Sequence, residues 1–545
     1  MRRIRIPLLM LLATLILGLG IDSPTSLTGK DEYLLGLRIP LEMMQDGRWW
    51  VPFIDGAPRL KKPPFIYWTA RASYEAFGPS LAAARGVTIA FSLLLLACVT
   101  WLGKRFTGSL QTGLIAAGVL LGMSGIESES RRLMLDIPVA TLSAAAFCCY
   151  LRWLQPSPLS HLHDGRHASL DWSWFITSAL CLSAALMTKG PIAVVVFGAG
   201  FLALLFFREP RELMLGRWWW HGLLVAIALA LPLYWILYVR QHYGLELAAA
   251  TQDELEARQL LKISADPLIG IITLSLPWGF IALHALWARR TDPDIRLLGL
   301  WLLFTLLPFF FIRSFERYLI GSLVPLALLA AIHIHGDVTL LPRWTRWLGS
   351  LLPALIALLL ALLLWRFELG SWWWLAFSSI LPLAYFVWAW WRPTLSAKHL
   401  VASAALLWSA GWGLAFPALG VNAIPQQVLD LSRDRQVTLF AGPQPSLLPI
   451  LSKRPLHQTS QLTPADLPRD ALIMVRAEDT ENMKAQLQKL GVSARPLFEY
   501  HALTSAGSGI RFARQGAKRD DWQLAWRSRS VAPLMSTVRV YLVVP

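Results

Sequence analysis

Charged side chains that could do chemistry stand at the ends of long apolar runs. Lys30-Asp31-Glu32-Tyr33 sets adjacent carboxylates beside a lysine just after the first run. An acid there can orient an acceptor or bind a cation, or it can start a helix, where acidic groups complement the dipole. The segment Asp55-Gly56-Ala57-Pro58-Arg59-Leu60-Lys61-Lys62-Pro63-Pro64 precedes the aromatic Phe65-Ile66-Tyr67-Trp68. Its prolines fix φ and remove backbone donors, so the lysines are presented from a stiff extended turn suited to clamping a phosphate. The bland reading is two lysines snorkelling at a span boundary. In Glu127–Pro138, Arg132 and Asp136 are four apart and share a face if the stretch is helical, as a self-neutralising pair or as a functional acid with its partner. Thr188-Lys189-Gly190-Pro191 places a lysine on a turn signal between two apolar runs. In Arg313-Ser314-Phe315-Glu316-Arg317-Tyr318, Arg317 can grip phosphate bidentately or pair with Glu316.

The elements that must hold these residues are membrane helices. Of the 545 residues, 55% are hydrophobic and 15% charged, and the apolar residues fall in runs long enough to cross a hydrocarbon layer. Thirteen spans are expected, near 7–22, 81–103, 108–124, 135–155, 172–189, 191–207, 218–239, 266–287, 295–312, 318–334, 347–365, 371–391 and 398–417. The first follows Arg2, Arg3 and Arg5 without a small-x-small cleavage site and is expected to be an uncleaved anchor. With the N-terminus inside, alternate loops carry Lys104-Arg105, Arg208/Arg211/Arg217, Arg289-Arg290, Arg343/Arg346 and Arg392/Lys398, the cytoplasmic excess expected of cations. Odd parity exports the C-terminus. The first exported loop nevertheless holds Lys30, Arg38, Arg48, Arg59, Lys61, Lys62 and Arg71, against that trend, which points to an anionic ligand.

Residues 23–80 form the longest exported loop, with an amphipathic stretch Asp31–Glu42 expected to lie along the interface. A second exported loop, 240–265, has helical periodicity and is expected to cover the site. Tryptophan clusters at Trp49-Trp50, Trp218–Trp220, Trp372–Trp374 and Trp390-Trp391 read as interface belts. Residues 1–419 are thus a transmembrane unit. Residues 420–545, with strand-length runs at Val437–Leu439, Ala471–Val475 and Val538–Val544 and a helix over Glu478–Leu490, are expected to be a small soluble α/β domain.

Cys98, Cys148, Cys149 and Cys181 all lie in apolar runs and form neither a disulfide framework nor a zinc spacing. The formal charge of +16 comes without a basic block interleaved with aromatics, so anionic membrane lipid is expected as a partner and nucleic acid is not.

Taken in order, Asp31-Glu32, Gly47–Pro52, Lys62-Pro63-Pro64 with Tyr67-Trp68, Arg132-x-x-x-Asp136-x-Pro138, Thr188–Pro191, Pro277-Trp278 and Arg317-Tyr318-Leu319 with Pro325 resemble one bacterial family. It is the GT-C integral-membrane glycosyltransferases related to the aminoarabinose transferases of lipid A and to protein O-mannosyltransferases. The resemblance implies a GT-C fold of about thirteen transmembrane helices in a bacterial inner membrane, with the C-terminal domain periplasmic. It implies Asp31 and Asp136 as the acids of the site, and Lys62 and Arg317 as contacts to phosphate of the carrier or acceptor. Glu32, Arg59, Lys61, Tyr67, Arg132, Lys189 and Tyr318 complete the expected substrate-binding set. The chain departs from the aminoarabinose-transferase pattern at Lys61, where that pattern has Glu, and Gln241–Arg258 lacks a His-rich pattern.

The chemistry implied is inverting displacement. A polyprenyl phosphate leaves the anomeric carbon of a sugar, aminoarabinose, mannose or similar, while a lipid, glycan or protein acceptor attacks from the opposite face. Charge growing on the departing phosphate needs fixed cations, and an attacking hydroxyl needs a base. A divalent cation is left open as cofactor. The competing class is a flippase or transporter of lipid-linked sugar, which should place ionisable residues deep in spans and show internal repeats; no such repeat is found.

Overall fold

The computed structural model describes residues 5–24, 32–155, 171–259, 263–336, 341–392, 395–442, 445–454, 456–503, 505–506, 509–510, 513–514 and 516–544. Asp31 lies outside the described residues.

Among the described residues the expected spans are largely helical, because backbone groups in a hydrocarbon layer must bond within the segment. Helix α1 covers Arg5–Gly18. A π-helical turn, Glu32–Arg38, runs into α2 (Ile39–Gln45), and a β1–β2 hairpin (Phe53–Ile54 with Ala57–Pro58) leads to α3 (Phe65–Phe77). Then follow α4 (Leu81–Thr107), α5 (Leu110–Leu121), the short α6 (Ser124–Glu129), α7 (Asp136–Leu154), α8 (Trp172–Lys189), α9 (Pro191–Leu205) and α10 (Arg208–Gly216). Next come α11 (Trp218–His242), α12 (Gly244–Arg258), α13 (Asp266–Ser275), α14 (Gly279–Ala288), α15 (Pro293–Leu306) and α16 (Leu323–Gly336). The last of the bundle are α17 (Arg343–Arg366), α18 (Trp372–Leu375), α19 (Leu381–Trp391) and α20 (Ala397–Ala410).

Among the described residues, 8 helical stretches are long and apolar enough to cross a membrane, or up to 10 if each bent pair counts as one span. The bent pairs are α9 with α10, at 110°, and α13 with α14, at 105°. The helices differ in how much they face outward. In the best apolar window of α7, 83% of residues are buried, against 22% in α17, so α7 is an axis of the bundle and α17 faces lipid. The tryptophans divide likewise: Trp218, Trp372 and Trp373 are well exposed, as belt residues are, whereas Trp390 is fully buried against Trp278 and Phe386.

After α20 the chain forms a five-stranded mixed sheet in the order β4-β3-β5-β9-β6. The strands are β3 (Val437–Phe440), β4 (His457–Thr459), β5 (Leu472–Arg476), β6 (Ser493–Ala502) and β9 (Ser536–Val544), with a separate hairpin β7–β8 (Ser505–Ala506 and Gly509–Ile510). One face is covered by α21 (Gln426–Ser432) and α22 (Leu448–Leu451), the other by α23 (Thr480–Lys489). A last helix, α24 (Arg519–Ser528), precedes β9.

The stretch expected to float on the interface is instead a packed layer. Leu37, Ile39, Leu41 and Met43 are buried with Ile66, Tyr67 and Tyr74 of α3 and with Leu447 and Ile450 beside the sheet. Its polar residues are neutralised internally: Arg38 bonds Glu42 at 2.6 Å and also Asp55, and Asp55 lies 3.5 Å from His457 of β4. With its charges satisfied by protein, the segment has no need of water or headgroups. The sheet, the 32–80 segment and α12 therefore share one end of the bundle.

Candidate active site

Lys61 and Lys62 stand at a bend between the β1–β2 hairpin and α3, ahead of Pro63 and Pro64. Asp136 opens α7, where an acid complements the helix dipole. Lys189 is the last residue of α8, whose end is forced by Gly190 at φ +62°, a conformation that L side chains rarely adopt. Arg317 and Tyr318 sit on a 3-10 turn, Glu316–Ser322, before α16.

These pieces line one cleft of about 330 Å³ with Arg59, Glu254, Arg258 and Arg313. The wall carries seven cations, Arg59, Lys61, Lys62, Lys189, Arg258, Arg313 and Arg317, against two carboxylates, Asp136 and Glu254. At the floor Asp136 pairs with Lys189 and lies 3.5 Å from Arg317. Its Oδ2 is buried, and the described residues give it no hydrogen-bond donor. Tyr318 lies below three of the cations, with Lys189 Nζ 3.7 Å, Arg258 4.9 Å and Arg317 5.9 Å from its ring centroid, so all three are held over an aromatic face. At the mouth Lys62 bonds Glu254 at 2.6 Å, Glu254 also holds Arg258, and Lys61 lies 2.9 Å from Asp253.

Burial pushes the Lys62 ammonium below the ordinary lysine range, although Glu254 opposes the shift. Burial raises Glu254, but Lys62 and Arg258 outweigh it and hold the carboxyl below its ordinary value. If a protonated Lys62 grips a substrate phosphate, affinity holds below the Lys62 pKa and falls as pH rises through it, at a pH lower than 10.5. Lys62→Arg stays charged and should lose that alkaline decline. The same decline in both proteins, measured by titrating phosphate binding against pH, would take Lys62 out of the contact.

Of the expected residues, Arg59, Lys61, Lys62, Asp136, Lys189, Arg317 and Tyr318 come together. Three do not. Glu32 is fully buried, pairs with fully buried Arg85 at 3.0 Å and accepts from the Leu133 N–H at 3.1 Å. It clamps the turn at 32–38 to the loop before α7, where Gly36 is needed because a Cβ would meet Leu133 O at 2.3 Å. Glu32→Gln should therefore cost about 3–5 kcal/mol of stability by removing the carboxylate that balances the buried Arg85 charge. Thermal unfolding in detergent checks this; an unchanged midpoint with lost substrate affinity would return Glu32 to the binding set. Tyr67 is 1% exposed inside the α3 packing layer. Arg132 stands in a turn between α6 and α7, so it does not share a helical face with Asp136 and pairs with Glu129. The reason is local: the helix starts at Asp136, and Asp136 is already taken by Lys189.

Sequence reasoning missed Glu254, Arg258 and Arg313 as site residues. The available signal was the acidic helical run Gln252–Glu256 opposite a cationic loop, a pairing across 192 positions that periodicity does not reveal. Among the described residues no three His, Cys, Asp or Glu side chains are grouped to hold a metal ion. Both cleft carboxylates already carry two cationic neighbours, so these residues do not fit a divalent ion and no step is assigned to one.

Residues 36–243, which supply five of these cleft residues, match the dolichyl-phosphate-mannose-protein mannosyltransferase family. Among curated proteins the chain is similar to the undecaprenyl phosphate-alpha-4-amino-4-deoxy-L-arabinose arabinosyl transferases of Shewanella sediminis (26% identical over 310 residues, 55% of this chain and 54% of that one) and Pectobacterium carotovorum (26% over 362 residues, 64% and 58%). The matched part thus spans little over half the length of those transferases. An uncharacterized protein of Aquifex aeolicus is 22% identical over 355 residues, covering 60% of this chain and 68% of that one. In architecture the chain is similar to ArnT from Cupriavidus metallidurans, solved bound to undecaprenyl phosphate, with a TM-score of 0.67 at 16% identity over 98% of this chain and 97% of that one. Its membrane helices and small sheet, with a cationic cleft at one end of the bundle, give the chain the fold of that transferase.

Proposed function

We propose that the cleft transfers a sugar, with inversion, from an undecaprenyl-phosphate-type carrier to a lipid, glycan or protein acceptor on the periplasmic face of a bacterial inner membrane. The observation that carries this is the excess of cations converging on one buried carboxylate. The C–O bond from the anomeric carbon to the carrier phosphate breaks and a new bond to the acceptor oxygen forms. Lys62, Lys189, Arg258 and Arg317 stabilise the negative charge left on the phosphate. Asp136, through the Oδ2 that Arg317 flanks at 3.5 Å, orients the acceptor hydroxyl and takes its proton; an acceptor phosphate would need only orienting. Asp31, the first candidate base in the sequence, remains a candidate beside Asp136. An apolar groove of about 220 Å³ between α13, α14, α15 and α16, lined by Leu268, Ile272, Leu283 and Leu302, suits the isoprenoid tail. It starts beside the Arg317 turn, where Gly270 packs on Leu319 and Glu316.

In this reading the thirteen apolar helical segments are all spans, residues 1–419 form the membrane domain, and 420–545 lie in the periplasm with the cleft. The likenesses to aminoarabinose transferases make a pentose or hexose donor the first to try. The test is binding of free polyprenyl phosphate to purified protein in lipid. Wild type should bind it, and inorganic phosphate alone should compete only weakly because it lacks the tail. Carrier affinity no greater than that of a simple isoprenoid alcohol would overturn the assignment of the cleft to phosphate.

A further inference from the structure

Helix α24 is the feature that the transfer chemistry leaves unused. It docks on the sheet-side end of α17 and not on the sheet: Ala525 is buried with Leu364, Phe367 and Phe416. Arg366, the last residue of α17, donates to the Trp526 carbonyl and stacks on its ring at 4.8 Å. Phe367 meets the same ring edge-on at 6.3 Å, and Arg529 bonds Glu368 at 3.2 Å. Because α17 is apolar enough to cross the membrane and ends at Arg366, α24 is fixed at the rim of the hydrocarbon layer.

Its exposed residues suit that level. Arg519, Trp522 and Trp526 recur at i, i+3 and i+7, one stripe of a helix, continued by Arg529 just past its end. Trp522 and Trp526 are 46% and 49% exposed, unusual for tryptophans on a water-facing domain but ordinary at headgroup depth. The neighbouring Trp372 and Trp373 are more exposed still, at 72% and 77%, and belong to the same corner. A largely polar cleft of about 390 Å³ opens there, with Glu368, Ser371, Trp372 and Arg529 on its walls.

We infer that α24 is an interfacial anchor, in which Trp522 and Trp526 enter the headgroup layer, Arg529 binds an anionic phospholipid whose headgroup occupies this cleft, and Arg519, at the other end of the helix, meets the same anionic layer. The occupant follows from continuity with a spanning helix, which supplies the bilayer, and from the cations flanking the aromatic stripe. The anchor ties the sheet to the membrane at a corner separate from the active cleft. It stands whether or not the transfer reading does.

The test uses the intact protein in nanodiscs containing a photoactivatable phosphatidylglycerol with its diazirine next to the headgroup, or the matching phosphatidylcholine. Cross-linked peptides are mapped by mass spectrometry. Adducts should concentrate in 519–529 and 368–374, at least threefold above α23, which covers the opposite face of the sheet from α21 and α22. They should be at least threefold more abundant with phosphatidylglycerol. Arg529→Glu with Trp522→Ser, both at exposed positions, should abolish the preference while leaving carrier-phosphate binding unchanged. Labelling of 519–529 no greater than that of α23 would overturn the anchor. Equal labelling by the two lipids would overturn the anionic headgroup site.

Discussion

Asp136→Asn should lower the transfer rate by about 10²–10⁴-fold while leaving affinity for the carrier phosphate unchanged or improved. Asp136 is the cleft carboxylate in the buried floor, with Lys189 on one oxygen and Arg317 beside the other. If it orients and deprotonates the acceptor, the amide removes the base. If it held the cations for the phosphate alone, the amide would free positive charge and binding would tighten without that loss of rate. Single-turnover rates at saturating donor, with carrier affinity measured separately, divide the two roles. Retained carrier binding also shows that the variant folds. A variant that turns over within threefold of wild type would remove Asp136 from the chemistry.

Lys62→Ala should act the other way, on binding first. A charge-assisted hydrogen bond to a phosphate is worth about 1.5–3 kcal/mol, so carrier affinity should fall by about 10- to 150-fold. Lys62 is not idle without substrate, since it holds Glu254, which also holds Arg258. The Glu254 carboxylate therefore occupies the position on these two cations that a phosphate oxygen would take. Glu254→Gln should release them and tighten carrier binding by about two- to fivefold, a small effect because the pair is partly exposed. Opposite signs for the two variants identify competition for Lys62. Weakening by both would mean that Glu254 supports the substrate and does not compete with it.

Much of the cleft was legible because its residues stand where charge is costly: at the ends of apolar runs, beside proline and Gly-Pro breaks. Asp136, Lys189 and Arg317 are far apart in the chain, yet Asp136 and Arg317 stand at the starts of helical segments and Lys189 at the end of one, so alternation of helix direction brings them to one end of the bundle. What was not legible depends on partners. Glu32 and Arg132 have the same residue types as the site, but Arg85 and Glu129 neutralise them, and nothing at positions 85 or 129 announces the pairing. The amphipathic pattern after Glu32 shows correctly which residues leave water; whether they enter lipid or protein is decided by α3 and the sheet region. In the sheet, the central strands β3, β5 and β9 show as apolar runs. The edge strands β4 and β6 do not, because β4 is polar and Pro496 interrupts β6 at a register shift.

The most direct measurement is release of free carrier phosphate from a panel of polyprenyl-phosphate sugars by purified protein in lipid, for wild type and for Arg317→Met. Wild type should release carrier from at least one donor, and the variant should lose about 10²-fold or more, because a fixed guanidinium beside the departing phosphate is removed. Absence of release from every donor, with intact donor instead moving between leaflets of sealed vesicles, would contradict transfer and establish the chain as a carrier of lipid-linked sugar.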